Sequence, residues 1–178
     1  SATRGRPVPS FHNTFVGRSS DVTEISQLLE SGARLATLLG PGGIGKTRLA
    51  CETALSFDKP MIGGVYFADL APLVSSDQVG QTIAEAMGVH AEGSVDVLTL
   101  VAESVTAPTL VIIDNYEHVI ESGPALGELI AGAPSLSLIA TSRQPLGIRG
   151  EQVYRLDPLG VSVNGSVSAA VELFYDRA

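Results

Sequence analysis

The segment GPGGIGKT, Gly40 to Thr47, constrains this chain more than any other feature. It follows an apolar run, Leu35–Leu39, and precedes a pattern typical of a helix. Glycines let the backbone turn tightly with successive N–H groups pointing inward, and the helix that follows adds the positive end of its dipole. The segment fits the pattern of glycine, four residues, glycine, lysine and threonine in full. It therefore predicts a phosphate-binding loop between a strand and a helix.

Each residue type in this loop has a chemical reason. A lysine there reaches the β- and γ-phosphates as a point charge, and the hydroxyl after it ligates Mg²⁺. We therefore predict that Lys46 acts on the phosphates and that Thr47 binds the metal. The candidate nucleotide-binding residues of this segment are Gly42, Gly43, Ile44, Gly45, Lys46, Thr47 and Arg48.

Composition narrows the class of protein. The chain has 178 residues, 44% of them hydrophobic and 17% charged, which is typical of one globular domain. The formal net charge of −8 argues against broad binding of nucleic acid by this chain. A single cysteine cannot form an internal disulfide, and no apolar run is long enough to cross a membrane, so we expect a cytoplasmic location.

Strand-like and helix-like runs alternate along the chain after residue 32. The strand-like runs are 35–39, 64–68, 109–113, 136–140 and 152–156, and the helix-like runs are 46–56, 77–87, 95–105 and 117–131. Such alternation produces parallel strands with helices on both faces. The alternation predicts an α/β fold with three α-β-α layers, and the phosphate-binding loop indicates the P-loop NTPase class. Resemblance to that class implies a five-stranded parallel sheet in the order 5-1-4-3-2.

The flanking segments differ from this core. Residues 1–13 contain two prolines and little periodicity, and we interpret them as a linker arm. A helix is predicted over 20–31, with Asp21 and Glu24 as a capping box. Residues 14–160 are expected to form the P-loop nucleotide-binding domain. Amphipathic spacing of Val167, Val171 and Phe174 predicts that 161–178 begin a helical domain that is truncated in this chain.

A second element of a nucleotide site is the segment TLVIIDNYEHV. The apolar run 109–113 ends in Asp114, and ligands of open α/β sheets bind at the carboxyl ends of the strands. We predict that Asp114 holds Mg²⁺ together with Thr47. A strand ending in a turn-forming Asp-Asn pair is the alternative interpretation.

Arg143 follows the strand-like run 136–140. If that strand lies beside the first one, Arg143 points toward the γ-phosphate and can stabilise charge during transfer. A solvated loop arginine is the alternative. Glu151 and Asp157, further along, are interpreted as solvated loop charges, and Cys51 as a small packing residue.

The position after Asp114 holds Asn115, where many phosphate-loop ATPases have a second acid. An amide can hydrogen-bond water but cannot take its proton, so slow hydrolysis is expected. Glu117 is the nearest carboxylate that could act as general base. The predicted catalytic residues are therefore Lys46, Asp114, Arg143 and Glu117.

Five segments together resemble the signal-transduction ATPases with numerous domains, the group that includes the NB-ARC proteins. The sequence of these segments is most similar to that of the ATPase module of bacterial transcriptional regulators of the LuxR type and the antibiotic-regulatory type. The segments are TFVGRSSDVTEISQLL (14–29), LLGPGGIGKTRLA (38–50), VYFADLAPL (65–73), LVIIDNYEHV (110–119) and IATSRQPLGIRGEQVYRLDPL (139–159).

The resemblance implies further roles. Val16, Gly17 and Arg18 would lie against the adenine side of the nucleotide, and Arg143 matches the first sensor arginine of the group. ATP or ADP with Mg²⁺ would be bound. Helical and winged-helix domains would follow in the full protein and would be partners of this domain, and nucleotide-dependent self-association is a further expectation. DNA binding would belong to those other parts.

Three functions compete at this point. The first is an ATP-driven switch with slow hydrolysis, and the second is a scaffold that holds ADP without turnover. The third is a small-molecule kinase or a GTPase. A guanine-reading motif requires Asn followed by Lys, and Asn13, Asn115 and Asn164 are not followed by Lys. A kinase lid would need more basic residues than Arg149 and Arg155.

Overall fold

A mixed β-sheet forms the centre of the fold. The computed structural model describes residues 6–13, 15–93 and 95–158, and the backbone of Val171–Leu173. The strands are β1 (Leu35–Leu39), β2 (Gly64–Asp69), β3 (Thr109–Asp114), β4 (Leu136–Ser142), β5 (Glu151–Arg155) and β6 (Val171–Leu173). The helices are α1 (Ser19–Glu30), α2 (Lys46–Leu55), α3 (Val79–Met87), α4 (Val97–Ser104) and α5 (Gly123–Gly132), with 3₁₀ helices at Ser76–Gln78 and Tyr116–Ser122.

The order of the strands is β2-β3-β4-β1-β5-β6. Strands β1 to β5 are parallel, and read from β5 their order is 5-1-4-3-2. This confirms the predicted fold. Because β4 lies between β1 and β3, the ends of the phosphate-loop strand and of the strand carrying Asp114 both adjoin β4.

Alternate residues of the buried strands face opposite helical layers, which makes the fold three-layered. On one face α3, α4 and α5 cover the sheet, with Ile83, Val101, Leu126, Val111 and Leu138 in the shared core. On the other face α1 and α2 cover it, with Ile25, Leu49, Cys51, Ile112 and Ile139 in the core. All residues of β1 and β3 are buried, which explains why these strands are almost continuously apolar.

Two helix predictions need correction. The predicted helix 117–131 is broken: a 3₁₀ helix, Tyr116–Ser122, contains a non-helical Val119 (φ −136°), and α5 begins only at Gly123. Pro124 explains the break, because proline lacks the N–H that a continuous helix requires and fits only its first turn. In α1, Asp21 and Glu24 form no capping box, since the helix already begins at Ser19 and has no side-chain cap.

A helix was predicted to open the further domain near the end of the chain, and at Val171–Leu173 that helix prediction is wrong. Val171–Leu173 form β6, which pairs antiparallel with β5. A parallel sheet ending at β5 would present an unpaired edge, and an extended segment satisfies those backbone groups. The other residues of 159–178 lie outside the described part of the chain. In the part that is described, every helix is too short or too polar to cross a bilayer.

Candidate functional site at the carboxyl ends of the strands

The phosphate turn connects β1 to α2, as predicted. Gly43 (φ 78°) and Gly45 (φ 99°) have left-handed backbone conformations, which glycine adopts without strain. A Cβ atom at either position would meet no heavy atom within 4 Å, so these glycines are required for the backbone conformation and not for space. At Gly42 a Cβ would lie 2.7 Å from Nη2 of Arg143, so a side chain there would displace the guanidinium of that exposed arginine.

Lys46 is the first residue of α2 and is only 9% exposed. Its ammonium donates to the backbone carbonyls of Gly40 (2.7 Å) and Pro41 (2.8 Å), so the charge lies over the turn itself. Burial lowers the pKa of Lys46, and the charges of Glu117 and Asp114 partly oppose that shift. A buried ammonium with only neutral carbonyl acceptors is well suited to an anionic ligand.

Asp114 ends β3 and is 4% exposed. Its Oδ1 accepts from the hydroxyls of Thr47 (2.7 Å) and Thr141 (2.5 Å). Burial raises the pKa of this carboxyl, while the two hydroxyl contacts lower it in part and the Asp69 charge raises it further. A carboxylate and a hydroxyl oxygen in contact, beside a phosphate turn, are the oxygen ligands that Mg²⁺ prefers, so Asp114 and Thr47 can hold that ion.

Asn115 joins three strand ends and was not predicted to do so. Its N–H donates to Oγ1 of Thr141 (2.9 Å), and its amide Nδ2 donates to Asp69 (3.1 Å) and Asp114 (3.0 Å). Among the described residues it is the only non-glycine with positive φ, at 62°. Asparagine tolerates this conformation better than most residues. The amide of Asn115 is thus engaged with two carboxylates.

Asp69 and Thr141 are site residues that the sequence analysis missed. Asp69 ends β2 directly opposite Asp114, and Thr141 lies near the end of β4. The signal that was available is their position, because each lies at the carboxyl end of an apolar strand-like run.

Arg143 and Glu117 come together at the same edge of the sheet. Nε of Arg143 lies 3.6 Å from Oε1 of Glu117, and the two side chains are 65% and 16% exposed. Arg143 also approaches Gly42 of the turn, as expected from the position of β4 beside β1. The predicted catalytic residues Lys46, Asp114, Arg143 and Glu117 therefore share one edge of the sheet, and their roles stay predictions.

The other residues that were predicted to contact the nucleotide, Val16, Gly17, Arg18 and Arg48, lie in different surroundings. Val16 is 71% exposed and Gly17 has a φ of 83°. Arg18 is 5% exposed and donates to the backbone carbonyls of Ile44 and Asp157. The guanidinium of Arg48 contacts the N-terminal segment, where it lies 5.1 Å from the ring centroid of Phe15.

Glu151 is fully buried, so its interpretation as a solvated charge is wrong. Its carboxylate accepts from three backbone N–H groups of the loop before β5, those of Leu146 (2.9 Å), Gly147 (2.9 Å) and Ile148 (3.4 Å). The loop that follows Arg143 is folded around this side chain. Cys51 is buried in the α2 layer, and burial raises the pKa of its thiol to about 12, which agrees with a packing role.

Comparison with known sequences gives distant relatives of greater length. No protein-family profile matches the chain. It is 32% identical over 167 residues to an uncharacterised protein of Mycobacterium tuberculosis, covering 93% of this chain and 41% of that protein. It is 37% identical over 147 residues to a protein of the same organism provisionally named an HTH-type transcriptional regulator, covering 82% of this chain and 16% of that protein. The chain thus spans less than half the length of either relative.

Comparison with solved structures gives the fold. Cdc6p from Pyrobaculum aerophilum superposes with a TM-score of 0.58 at 17% identity, over 76% of this chain and 41% of that one. A signal-transduction ATPase with numerous domains from Pyrococcus horikoshii, which carries a tetratricopeptide repeat sensor, gives 0.50 at 19% identity, over 87% and 24%. Together with the observed strand order, these likenesses establish the P-loop NTPase fold.

Proposed function

We propose that residues 14–160 bind ATP and ADP with Mg²⁺ and serve as the nucleotide switch of a multidomain bacterial transcriptional regulator. The observation that carries the proposal is the contact between Thr47 and Asp114 at 2.7 Å, one residue from the buried ammonium of Lys46. A phosphate donor set and a metal ligand pair thereby adjoin at the carboxyl ends of the strands, where α/β sheets bind ligands.

Lys46 and the backbone N–H groups of the turn would hold the β- and γ-phosphates. When bound, Mg²⁺ would supply charge neutralisation at the phosphates, with Thr47 and Asp114 as its protein ligands. Arg143 would stabilise the charge that develops on the outer phosphate. Glu117 is the nearest candidate to accept a proton from water, and its contact with Arg143 would hold its carboxylate in place.

Hydrolysis would be slow. Asn115 takes the place of an acid, and its amide is already committed to Asp69 and Asp114, so it has no proton acceptor to offer. The loss of general base assistance is typically worth about 10²–10⁴-fold in rate. The same observation favours one alternative, a scaffold that holds ADP and does not turn over.

The regulatory part of the proposal rests on a relative's name. A protein provisionally named an HTH-type transcriptional regulator contains a segment similar to this chain. By analogy, the partners of this domain would be helical and winged-helix domains of the full protein, and the nucleotide state would change their arrangement or the self-association of the protein. Within the cell, the expected location is the cytoplasm.

The chain offers a matched pair of lysines to test nucleotide binding. Lys46→Ala should weaken Mg²⁺-ATP binding by about 2–5 kcal/mol, because it removes a desolvated charge-assisted contact. Lys59 is the only other lysine, is exposed and donates to the carbonyl of Glu30, so Lys59→Ala should bind like wild type. Isothermal titration calorimetry measures both. Equal affinity in the two variants would contradict the proposed site.

Two further measurements separate the switch from its alternatives. Single-turnover hydrolysis should be far slower than the roughly 1 s⁻¹ that is ordinary for phosphoryl-transfer enzymes, and a rate at or above that value would contradict the slow switch. Undetectable hydrolysis with tight ADP binding would favour the scaffold. ATP should compete more strongly than GTP, and equal competition would count against an adenine-specific site.

A further inference from the structure

Arg48 lies on the first turn of α2, two residues after Lys46, yet its guanidinium engages the N-terminal segment. It lies 5.3 Å from the ring centroid of Phe11 and 5.1 Å from that of Phe15. It also donates to the backbone carbonyl of Asn13. These contacts attach the described residues 11–13 and 15–18, here called the N-terminal strap, to the helix that follows the phosphate turn.

The strap has a second attachment at its other end. Arg18 is 5% exposed, and its Nη2 donates to the backbone carbonyls of Ile44 (3.3 Å) and Asp157 (3.0 Å). Its Nη1 forms an ion pair with Asp21 at 3.3 Å. Because Ile44 belongs to the phosphate turn, one end of the strap is attached to α2 and the other end to the turn itself.

Between the two attachments the strap leaves an apolar side chain uncovered. Val16 is 71% exposed, although Phe15 before it and Arg18 after it are both held. Gly17 follows with a φ of 83°, which turns the chain sharply at this point. A branched aliphatic side chain held beside a phosphate turn offers an apolar surface to a flat heterocycle.

We propose that Arg48 is a positioning residue for the nucleotide base, which acts through Phe11 and Phe15 of the strap and does not contact phosphate. The inference rests on the proposed nucleotide function and deepens it. The charge of Arg48 is directed at two rings, a carbonyl and Glu52, whose Oε1 lies 3.9 Å from Nε. An arginine used in this way orders the base-binding segment before the ligand arrives, which lowers the entropic cost of binding.

The test compares a ligand with a base against one without. Arg48→Gln should weaken Mg²⁺-ATP binding about tenfold, from the lost cation–π contacts and the looser strap, and should leave the affinity for inorganic tripolyphosphate within about twofold of wild type. Arg48→Lys should recover part of the ATP affinity, because an ammonium also interacts with aromatic rings. Calorimetry with both ligands measures this selectivity.

Coupling to the strap needs its own measurement. If Arg48 acts through Phe15, the double variant Arg48→Gln/Phe15→Leu should bind ATP no more weakly than the weaker single variant. The chain contains no tryptophan, so Phe11→Trp introduces a single reporter. Its emission should shift to the red when Arg48→Gln is added, as the strap leaves α2, and this readout requires no nucleotide.

The outcomes distinguish the two proposals. Equal losses of ATP and tripolyphosphate affinity in Arg48→Gln would show direct phosphate contact and overturn the inference while the proposed function stands. Unchanged ATP affinity, additive effects of the two substitutions, or an unshifted tryptophan emission would also overturn it. Failure of the wild type to bind either ligand would overturn the proposed function, and the positioning role with it.

Discussion

Two buried carboxylates at opposite ends of the parallel strands, Glu151 at the start of β5 and Asp114 at the end of β3, are satisfied in different ways. Glu151 accepts from three backbone N–H groups of one loop. Asp114 accepts from side chains alone, the hydroxyls of Thr47 and Thr141 and the amide of Asn115. Backbone donors cannot turn away without unfolding the loop, whereas hydroxyls can rotate toward another partner. The first arrangement stabilises the fold, and the second leaves a carboxylate that can exchange partners.

The surroundings of Asp114 strengthen this contrast. Burial raises the pKa of its carboxyl, and Asp69 and Glu117 add negative charge nearby. The charged form is therefore disfavoured in the folded protein until a cation approaches. A site that costs stability without its ligand is typical of function, while a fully satisfied one is typical of structure.

The largest effect on stability is expected at Glu151. Glu151→Gln replaces an acceptor oxygen with an amide NH₂ that faces backbone donors, so at least one buried N–H loses its partner. Unfolding free energy should fall by about 2–4 kcal/mol, measured by urea denaturation. The exposed Glu92 provides the matched control, since Glu92→Gln should change stability by less than about 0.5 kcal/mol. Similar free energies of unfolding for the two variants would contradict the structural role of Glu151.

An intermediate effect is expected at Asn115. Asn115→Asp replaces a donor to two carboxylates with a third negative charge in contact with them, which should cost about 1–3 kcal/mol of stability. Gln27→Glu makes the same change of charge at an exposed position of α1 and should be close to neutral. The added acid should not accelerate hydrolysis, because its side chain would lie against Asp69 and Asp114 and not against the attacking water. A stable, faster Asn115→Asp enzyme would contradict the bridging role.

The smallest change in stability is expected at Asp114, and its sign depends on pH. The pKa of this carboxyl lies above its ordinary value of 3.8, so the folded protein holds the proton more tightly than the unfolded chain does. Its contribution to stability is complete below pH 3.8 and is lost as pH rises through the folded pKa. Without Mg²⁺ or nucleotide, Asp114→Asn should therefore gain on wild type as pH rises. A constant difference across the carboxyl range would contradict the strained carboxylate.

Sequence patterns predicted the fold well, because the apolar runs that form strands and their alternation with helical patterns can both be read locally. Continuous apolar runs such as 109–113 indicate strands covered on two faces, and their alternation with helices restricts the topology. The break in the helix near Val119 depended on a single proline within an otherwise helical pattern. Strand β6 pairs with the backbone groups of β5 that would otherwise be unpaired at the edge of the assembled sheet. The periodicity of a sequence does not indicate where such an edge will lie.

The placement of candidate site residues was predictable where a local pattern defines their position, and their roles stay predictions. Lys46, Thr47 and Asp114 stand at positions that the phosphate turn and the strand end define. The bridging contacts of Asn115 were not predicted, and the interpretation of Glu151 was wrong. The partners of both residues are set by tertiary structure: the ends of neighbouring strands for the first and a folded loop for the second. Hydrogen-bond partners of buried polar groups depend on the assembled fold, which no local pattern specifies.

The most direct test of the account is the stabilisation that saturating ATP gives with and without Mg²⁺, measured by urea denaturation for wild type, Asp114→Asn and Glu151→Gln. A ligand that binds only the folded state stabilises it by about 2.7 kcal/mol at 100 times its dissociation constant. The account predicts that Glu151→Gln starts from lower stability but keeps the Mg²⁺-dependent gain. Asp114→Asn should be at least as stable as wild type without ligand and should lose that gain. The reverse pattern, or an equal Mg²⁺-dependent gain in both variants, would contradict the assignment of Asp114 as the carboxylate that serves the ligand.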